Sequence, residues 1–144
     1  MSEGSMDIQE FNKSIIEEFR ANEGKVGGQF EGASLLLLTT TGAKSGLERV
    51  NPLAYLKEDD GYGIVASYAG APTSPPWYHN LVANPDVEVE VGRERFKARA
   101  EVVSEPQRSQ LYEKMESIMS AFTEYRNKTT RTIPVIVLRR TDSA

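Results

Sequence analysis

Seven consecutive residues, Leu35-Leu36-Leu37-Leu38-Thr39-Thr40-Thr41, narrow the choice of folds more than any other stretch of this chain. They are apolar or β-branched without a break, and Gly32 and Gly42 bound them. An unbroken run of that length between turn residues fits a strand buried on both faces. A sheet must then be built around it. Val50–Leu56 reads as a second strand, with Pro52 marking an edge or a bulge. The turn Glu58-Asp59-Asp60-Gly61 leads to a third strand at Tyr62–Ser67. Val87, Val89 and Val91 alternate with acids, Gly92-Arg93-Glu94 turns the chain, and Phe96, Ala98, Ala100 and Val102 alternate on the return, which is a hairpin. Ile133–Leu138 is a last strand, with Pro134 again marking an edge or bulge.

Helical signals lie between these strands. Ile8, Phe11, Ile15 and Phe19 recur at helical spacing, so a helix is predicted over about 7–22, capped by Asp7 with Glu10 and ended by Asn22 and Gly24. Tyr78–Asn84 reads as a short helix. Another starts at Ser104, with Gln107 at the capping-box position and Pro106 in the first turn, and carries the stripe Leu111, Met115, Ile118, Met119 and Phe122. Residues 1–6 are small and polar and are expected to be disordered. Residues 23–33, with Gly24, Gly27, Gly28 and Gly32, are expected to form a loop that Phe30 anchors. Residues 7–144 form one expected domain. Short turns join most strands, which predicts a mainly β (α+β) fold: an antiparallel sheet curled into a small barrel, with helices outside.

Composition excludes several functions. The formal net charge of −4 over 144 residues argues against general nucleic-acid binding. With no cysteine there is no disulfide, thiolate metal site or cysteine nucleophile, and the single histidine, His79, rules out three histidine ligands to zinc. No run of about 18 apolar residues is present to span a bilayer, and the polar N-terminus lacks the apolar centre of a signal peptide. A cytoplasmic location follows as an expectation. Peripheral attachment to a membrane remains open, although the polar face of the first helix carries glutamates rather than lysines.

Chemistry concentrates in two segments. The first is the turn after the buried strand, Gly42-Ala43-Lys44-Ser45-Gly46-Leu47-Glu48-Arg49. Backbone N–H groups at Gly42 and Gly46 can converge on an anion, with Lys44 supplying an ammonium and Arg49 a forked donor. An ordinary solvated hairpin turn is the alternative. A nucleotide-binding P-loop does not fit, because Ala43 separates Gly42 from Lys44 and a strand follows rather than a helix. The second is the loop Ser67-Tyr68-Ala69-Gly70-Ala71-Pro72-Thr73-Ser74-Pro75-Pro76-Trp77. Its small residues and prolines could border a planar ring with the Trp77 indole, or Trp77 could fill the core. His79 reads as structural or surface.

Ordered blocks over about residues 16–138 resemble the deazaflavin-dependent nitroreductase-like proteins, which use coenzyme F-420. The blocks include Glu18-Phe19-Arg20-Ala21-Asn22, Gly42-Ala43-Lys44-Ser45-Gly46, Arg49-Val50-Asn51-Pro52-Leu53, Ala66-Ser67 with Gly70, Pro76-Trp77, Asn80-Leu81, Ala83-Asn84-Pro85 and Thr130-Arg131-Thr132-Ile133-Pro134-Val135. The resemblance implies a split β-barrel of the FMN-binding type. It implies that Lys44, Ser45, Gly46 and Arg49 hold the cofactor's acidic tail, beside Pro52 and Leu53. Ser67, Tyr68, Ala69, Gly70, Pro76, Trp77 and Asn80 would line the deazaflavin. Hydride would pass to an electron-poor small molecule, apolar or aromatic: an activated C=C bond, a quinone or a nitro compound. Ser67, Tyr68 and Tyr125 are the implied residues for orienting that acceptor or relaying a proton. FMN on the same barrel, or a carrier without turnover, are the alternatives. Many relatives have a further basic residue where this chain has Ala43 or Tyr68, which leaves fewer charges for the tail. Phe122 and Met119 stand where relatives can have hydroxyls, which implies a more apolar substrate pocket.

Overall fold

The computed structural model describes residues 3–22, 24, 34–58 and 61–141. The expected loop at 25–33, including Gly27, Gly28, Phe30 and Gly32, lies outside them, as do Asp59 and Asp60 of the turn into the third strand. Helix α1 (Glu3–Ala21) is followed by strands β1 (Leu35–Thr41), β2 (Glu48–Ala54), β3 (Leu56–Glu58) and β4 (Gly61–Val65). A single 3-10 turn (Tyr68–Gly70) leads to α2 (Pro76–Ala83). The hairpin β5 (Asp86–Val91) and β6 (Glu94–Val102), helices α3 (Gln107–Ile118) and α4 (Ala121–Lys128), and strand β7 (Val135–Arg140) complete the order.

All seven strands form one antiparallel sheet in the order β2-β1-β5-β6-β7-β4-β3. Its two outermost strands are neighbours in sequence, since β2 ends at Ala54 and β3 begins at Leu56. In a flat sheet those strands would lie about 29 Å apart, six inter-strand spacings. A chain can cross only about 7 Å from Ala54 to Leu56. The sheet is therefore rolled, and Tyr55 closes the seam covalently. This is the expected split barrel.

Side-chain alternation sorts the core into an inside and two outsides. Leu36, Leu38, Ile64, Val89, Phe96, Ile136 and Leu138 share the barrel interior with Trp77 and Leu81 of α2. The alternate residues Leu35 and Leu37 face outward under Ile15 and Phe19 of α1. Val65, Val135 and Val137 face outward under Leu111, Met115 and Phe122. Strand β1 is thus buried on both faces, as its composition requires. Pro52 lies on the edge strand β2, where a missing N–H is tolerated.

Four local expectations are corrected. Helix α1 starts at Glu3, so Asp7 is inside the helix rather than its cap. Its end is as expected: Asn22 N–H donates to Glu18 O at 3.0 Å and Gly24 N–H to Phe19 O at 2.8 Å, with Gly24 at φ +93°. The Leu111–Phe122 stripe belongs to two helices, because the chain turns extended at Met119 and restarts at Ala121. Ser104 does not cap α3 with its side chain; Glu105 does so, its carboxylate accepting from Ser109 N–H (3.0 Å), Ser109 Oγ (2.7 Å) and Arg108 Nε (2.9 Å). Pro134 lies just before β7, which is internal to the sheet, and its carbonyl accepts Ala66 N–H at 3.0 Å. Proline there ends the preceding loop and leaves the ladder intact.

Candidate functional site

Strand direction gathers the chemistry at one rim. Neighbours are antiparallel throughout, so β1 and β4, separated by β5, β6 and β7, run the same way. The turn after β1, the loop after β4, the start of α2 and the approach to β7 therefore share one end of the barrel. Lys44, Ser45, Gly46, Arg49, Ser67–Gly70 and Asn80 all lie at that end. Pro52 and Leu53 lie further down β2, opposite Leu37 and Leu36, and Leu53 rests on the barrel core.

The turn after β1 is closed by its own backbone. Gly46 N–H donates to Gly42 O (3.0 Å), Gly42 N–H to Leu47 O (2.7 Å) and Leu47 N–H to Ser45 Oγ (3.1 Å). The donors expected at Gly42 and Gly46 are thus spent within the turn. Ala43 N–H donates to Asn80 Oδ1 at 3.0 Å. The N–H groups of Lys44 and Ser45 remain without a partner among the described residues. They occupy the place of first-turn donors in a helix, where orphan N–H groups attract anions. Lys44 and Arg49 are exposed, and neither has an acidic partner among the described residues; Arg49 Nη1 only grazes Glu48 O at 3.4 Å. Two exposed cations, Lys44 on the turn and Arg49 at the start of β2, and two open donors thus stand at one rim.

Asn80 uses both ends of its amide within the protein. Its Nδ2 donates to Thr40 Oγ1 at 3.2 Å while its Oδ1 holds Ala43, so both ends of the amide brace the turn against α2. Trp77 is buried at 6% exposure among the barrel side chains, and fills the core rather than bordering the rim. Pro76 is the first residue of α2, where its missing N–H costs nothing, and is exposed. His79 is exposed, edge-on to the Tyr78 ring.

The loop after β4 is tightly specified. Tyr68 takes the left-handed conformation at φ +49° with its side chain half exposed, and Gly70 follows at φ +82°. Gly70 N–H donates to Ser67 O (2.9 Å) and Ala71 N–H to Tyr68 O (3.0 Å). Ala69 forms the middle of this 3-10 turn. A Cβ on Gly70 would lie 3.0 Å from Tyr125 O and 2.9 Å from Lys128 Cβ, so the turn rests directly on α4. Ser67–Gly70 and Tyr125 are thereby brought together. Tyr125 is partly buried, with its ring edge-on to Phe122 at 5.5 Å. Phe122 belongs to the layer between the helices and the sheet, and Met119 and Tyr125 pack against that layer.

Sequence reasoning assigned no role to Arg131. Its guanidinium reaches across to the same loop: Nε donates to Ala71 O (3.0 Å), Nη1 to Ser74 Oγ (3.2 Å), and Nη2 to both Ala66 O and Ser67 O (3.0 Å each). Its signals in the sequence were its place in the Thr130–Val135 block of the family resemblance and a lone arginine in a threonine-rich stretch just before a strand.

Two clefts among the described residues lie elsewhere. One, about 760 Å³, is lined by Glu58, Gln107, Gln110 and Lys114 beside α3. The other, about 400 Å³, is lined by Phe19, Arg20, Glu90 and Arg93. In the second, Arg20 grips Glu90 through two bonds (3.1 and 2.8 Å), and that carboxylate raises the arginine's already high pKa. Lys44 and Arg49 line neither cleft and stand on an open rim. Among the described residues no helix is long and apolar enough to cross a membrane, and no cluster of His, Asp and Glu could hold a metal ion.

Comparison with known proteins points one way. A profile of the F420H(2)-dependent quinone reductase family matches residues 12–140. An F420H(2)-dependent quinone reductase of Mycobacterium tuberculosis is 44% identical over 126 residues, covering 85% of each chain. A solved F420-H2 dependent reductase superposes with a TM-score of 0.68 at 36% identity, over 74% of this chain and 94% of that one. A solved domain-swapped dimer superposes with a TM-score of 0.70 at 32% identity, over 94% and 99%.

Proposed function

The chain belongs to the F420H(2)-dependent quinone reductase family, and from that premise we propose that it passes a hydride from reduced F-420 to a quinone or a similarly electron-poor, planar acceptor. One observation supports the placement of the cofactor above the rest: the open N–H groups of Lys44 and Ser45, with the Lys44 and Arg49 side chains, share a rim with the Ser67–Gly70 loop. The residues present fit such a group. A phosphate and carboxylate tail would meet two backbone donors and two cations, and the loop after β4 would border the flat ring system.

When bound, the deazaflavin supplies the hydride. Lys44 and Arg49 anchor the tail, and Asn80 keeps the Lys44–Ser45 donors in place. The Tyr68 phenol, half exposed at the rim, orients the acceptor, and the Tyr125 hydroxyl is the second candidate for that task. Among the described residues none at the rim is set up as a general base, and the proton for the reduced acceptor is assigned to solvent. The protein contributes the alignment of two planar partners.

Fluorescence titration with F-420 tests the assignment, with FMN as comparator. Lys44→Ala with Arg49→Ala should weaken F-420 binding by about 10- to 100-fold, and more so at low salt, because exposed charges are screened. Unchanged affinity in the double variant, or tighter binding of FMN than of F-420 by the wild type, refutes it.

A further inference from the structure

We propose that Arg131 is a positioning residue that aims two backbone donors, the N–H groups of Ser67 and Tyr68, at an acceptor edge of the bound ring; this rests on the cofactor placement above. Peptide geometry carries the argument. Arg131 Nη2 draws in the carbonyls of Ala66 and Ser67, both at 3.0 Å. The only cis peptide among the described residues is Glu105–Pro106, so the 66–67 and 67–68 peptides are trans. In a trans peptide the N–H points opposite to the C=O. With both carbonyls turned to the guanidinium, the N–H groups of Ser67 and Tyr68 turn away from it.

Neither N–H has a partner among the described residues. Ser67 is only 5% exposed. A backbone donor in so buried a residue ordinarily finds an acceptor, and one without is costly. A ligand carbonyl would satisfy it. The two carbonyls of a pyrimidinedione ring edge are acceptors of that kind.

The arrangement is also strained in the way a built site is. Tyr68 is the only non-glycine residue at positive φ among those described, a conformation that strains a residue with a Cβ. The four guanidinium bonds hold the loop in that shape, and lysine cannot replace them because its single ammonium lacks the planar fork. The 3-10 bonds inside the loop consume the N–H groups of Gly70 and Ala71 and leave those of Ser67, Tyr68 and Ala69; Arg131 orients the first two, because it holds the carbonyls of their peptides.

The test is a ¹⁵N–¹H titration of the wild-type protein with oxidised F-420, repeated on Arg131→Ala and Arg131→Lys. In the wild type the amide protons of Ser67 and Tyr68 are expected to move downfield at saturation. Both variants should keep a native circular-dichroism spectrum, bind F-420 about tenfold more weakly, the value of one well-aligned hydrogen bond, and lose those two downfield shifts. Ethylguanidinium added to Arg131→Ala should restore the shifts, and ethylammonium should not. If F-420 moves the Lys44 and Ser45 amides but leaves those of Ser67 and Tyr68 in place, the positioning role is overturned and the cofactor assignment stands. If none of the four moves, the cofactor placement fails and this role with it. Should Arg131→Ala not fold, Arg131→Lys and the wild-type titration decide between the same outcomes.

Discussion

Replacing Gly70 by alanine should destabilise the protein far more than replacing Gly46, although both glycines have positive φ, +82° and +72°. Alanine in the left-handed region costs about 1 kcal/mol at either position. At Gly46 nothing lies within 4 Å of the new Cβ, so the cost ends there. At Gly70 the Cβ would lie 2.9 Å from Lys128 Cβ, 3.0 Å from Tyr125 O and 3.2 Å from Tyr125 Cα. These are atoms of a helix rather than the tip of a flexible side chain, so α4 or the loop must shift, which adds about 1–3 kcal/mol. Gly70→Ala should therefore cost about 2–4 kcal/mol and Gly46→Ala about 1 kcal/mol. Urea denaturation at equilibrium measures both, provided the two variants keep the wild-type m-value. A difference between them of less than about 0.5 kcal/mol would refute the reading that the loop and α4 meet backbone to backbone.

Asn80→Ala removes both braces of the turn and should cost about 1–2 kcal/mol in stability; amide exchange should rise selectively at Ala43, and uniform exchange across the chain would contradict the bracing role. Tyr112→Phe deletes a buried bond from the phenol to Phe122 O at 2.6 Å and should cost about 1–2 kcal/mol in thermal or urea unfolding. Burial, and then Glu116, hold the Tyr112 phenol above its ordinary value near 10. The folded state therefore favours the protonated phenol, so its contribution is intact below pH ~10 and is lost as pH rises through the higher folded value. Tyr112→Phe should flatten that alkaline loss, as read from urea midpoints between pH 9 and 11, roughly one unit either side of the free phenol. Arg20→Met strands Glu90, which is 9% exposed, and should cost about 2–4 kcal/mol; Arg20→Met with Glu90→Gln should recover part of it.

Strands were legible where one physical signal dominated. Leu35–Thr41 could only be a doubly buried strand, and the alternation across Gly92 could only be a hairpin. The barrel was legible because short turns leave few topologies for so many strands. Boundaries failed where tertiary bonds overrode local preference. Glu105 took the capping task from Ser104, and Met119 turned extended and split a stripe that periodicity alone joined. The glycine-rich turn and the loop after β4 were legible as two clusters of candidate residues, but the rim that they share and the bracing by Asn80 were not. Asn80 and Trp77 both sit beside the site, one as a brace and the other as core, because α2 faces the turn on one side and the barrel interior on the other. Arg131 was opaque because its four partners are mainly carbonyls 57 to 65 residues away, and no local pattern encodes so distant a contact.

The tie at Tyr55 has a consequence for where any guest can sit. Beside that tie the bore is already occupied by leucines, valines and an indole, which leaves no space there for a flat aromatic molecule. A filled bore agrees with a guest gripped from outside, at the mouth. Lengthening the tie by two or three residues would be the simplest way for a descendant of this chain to acquire a hollow bore.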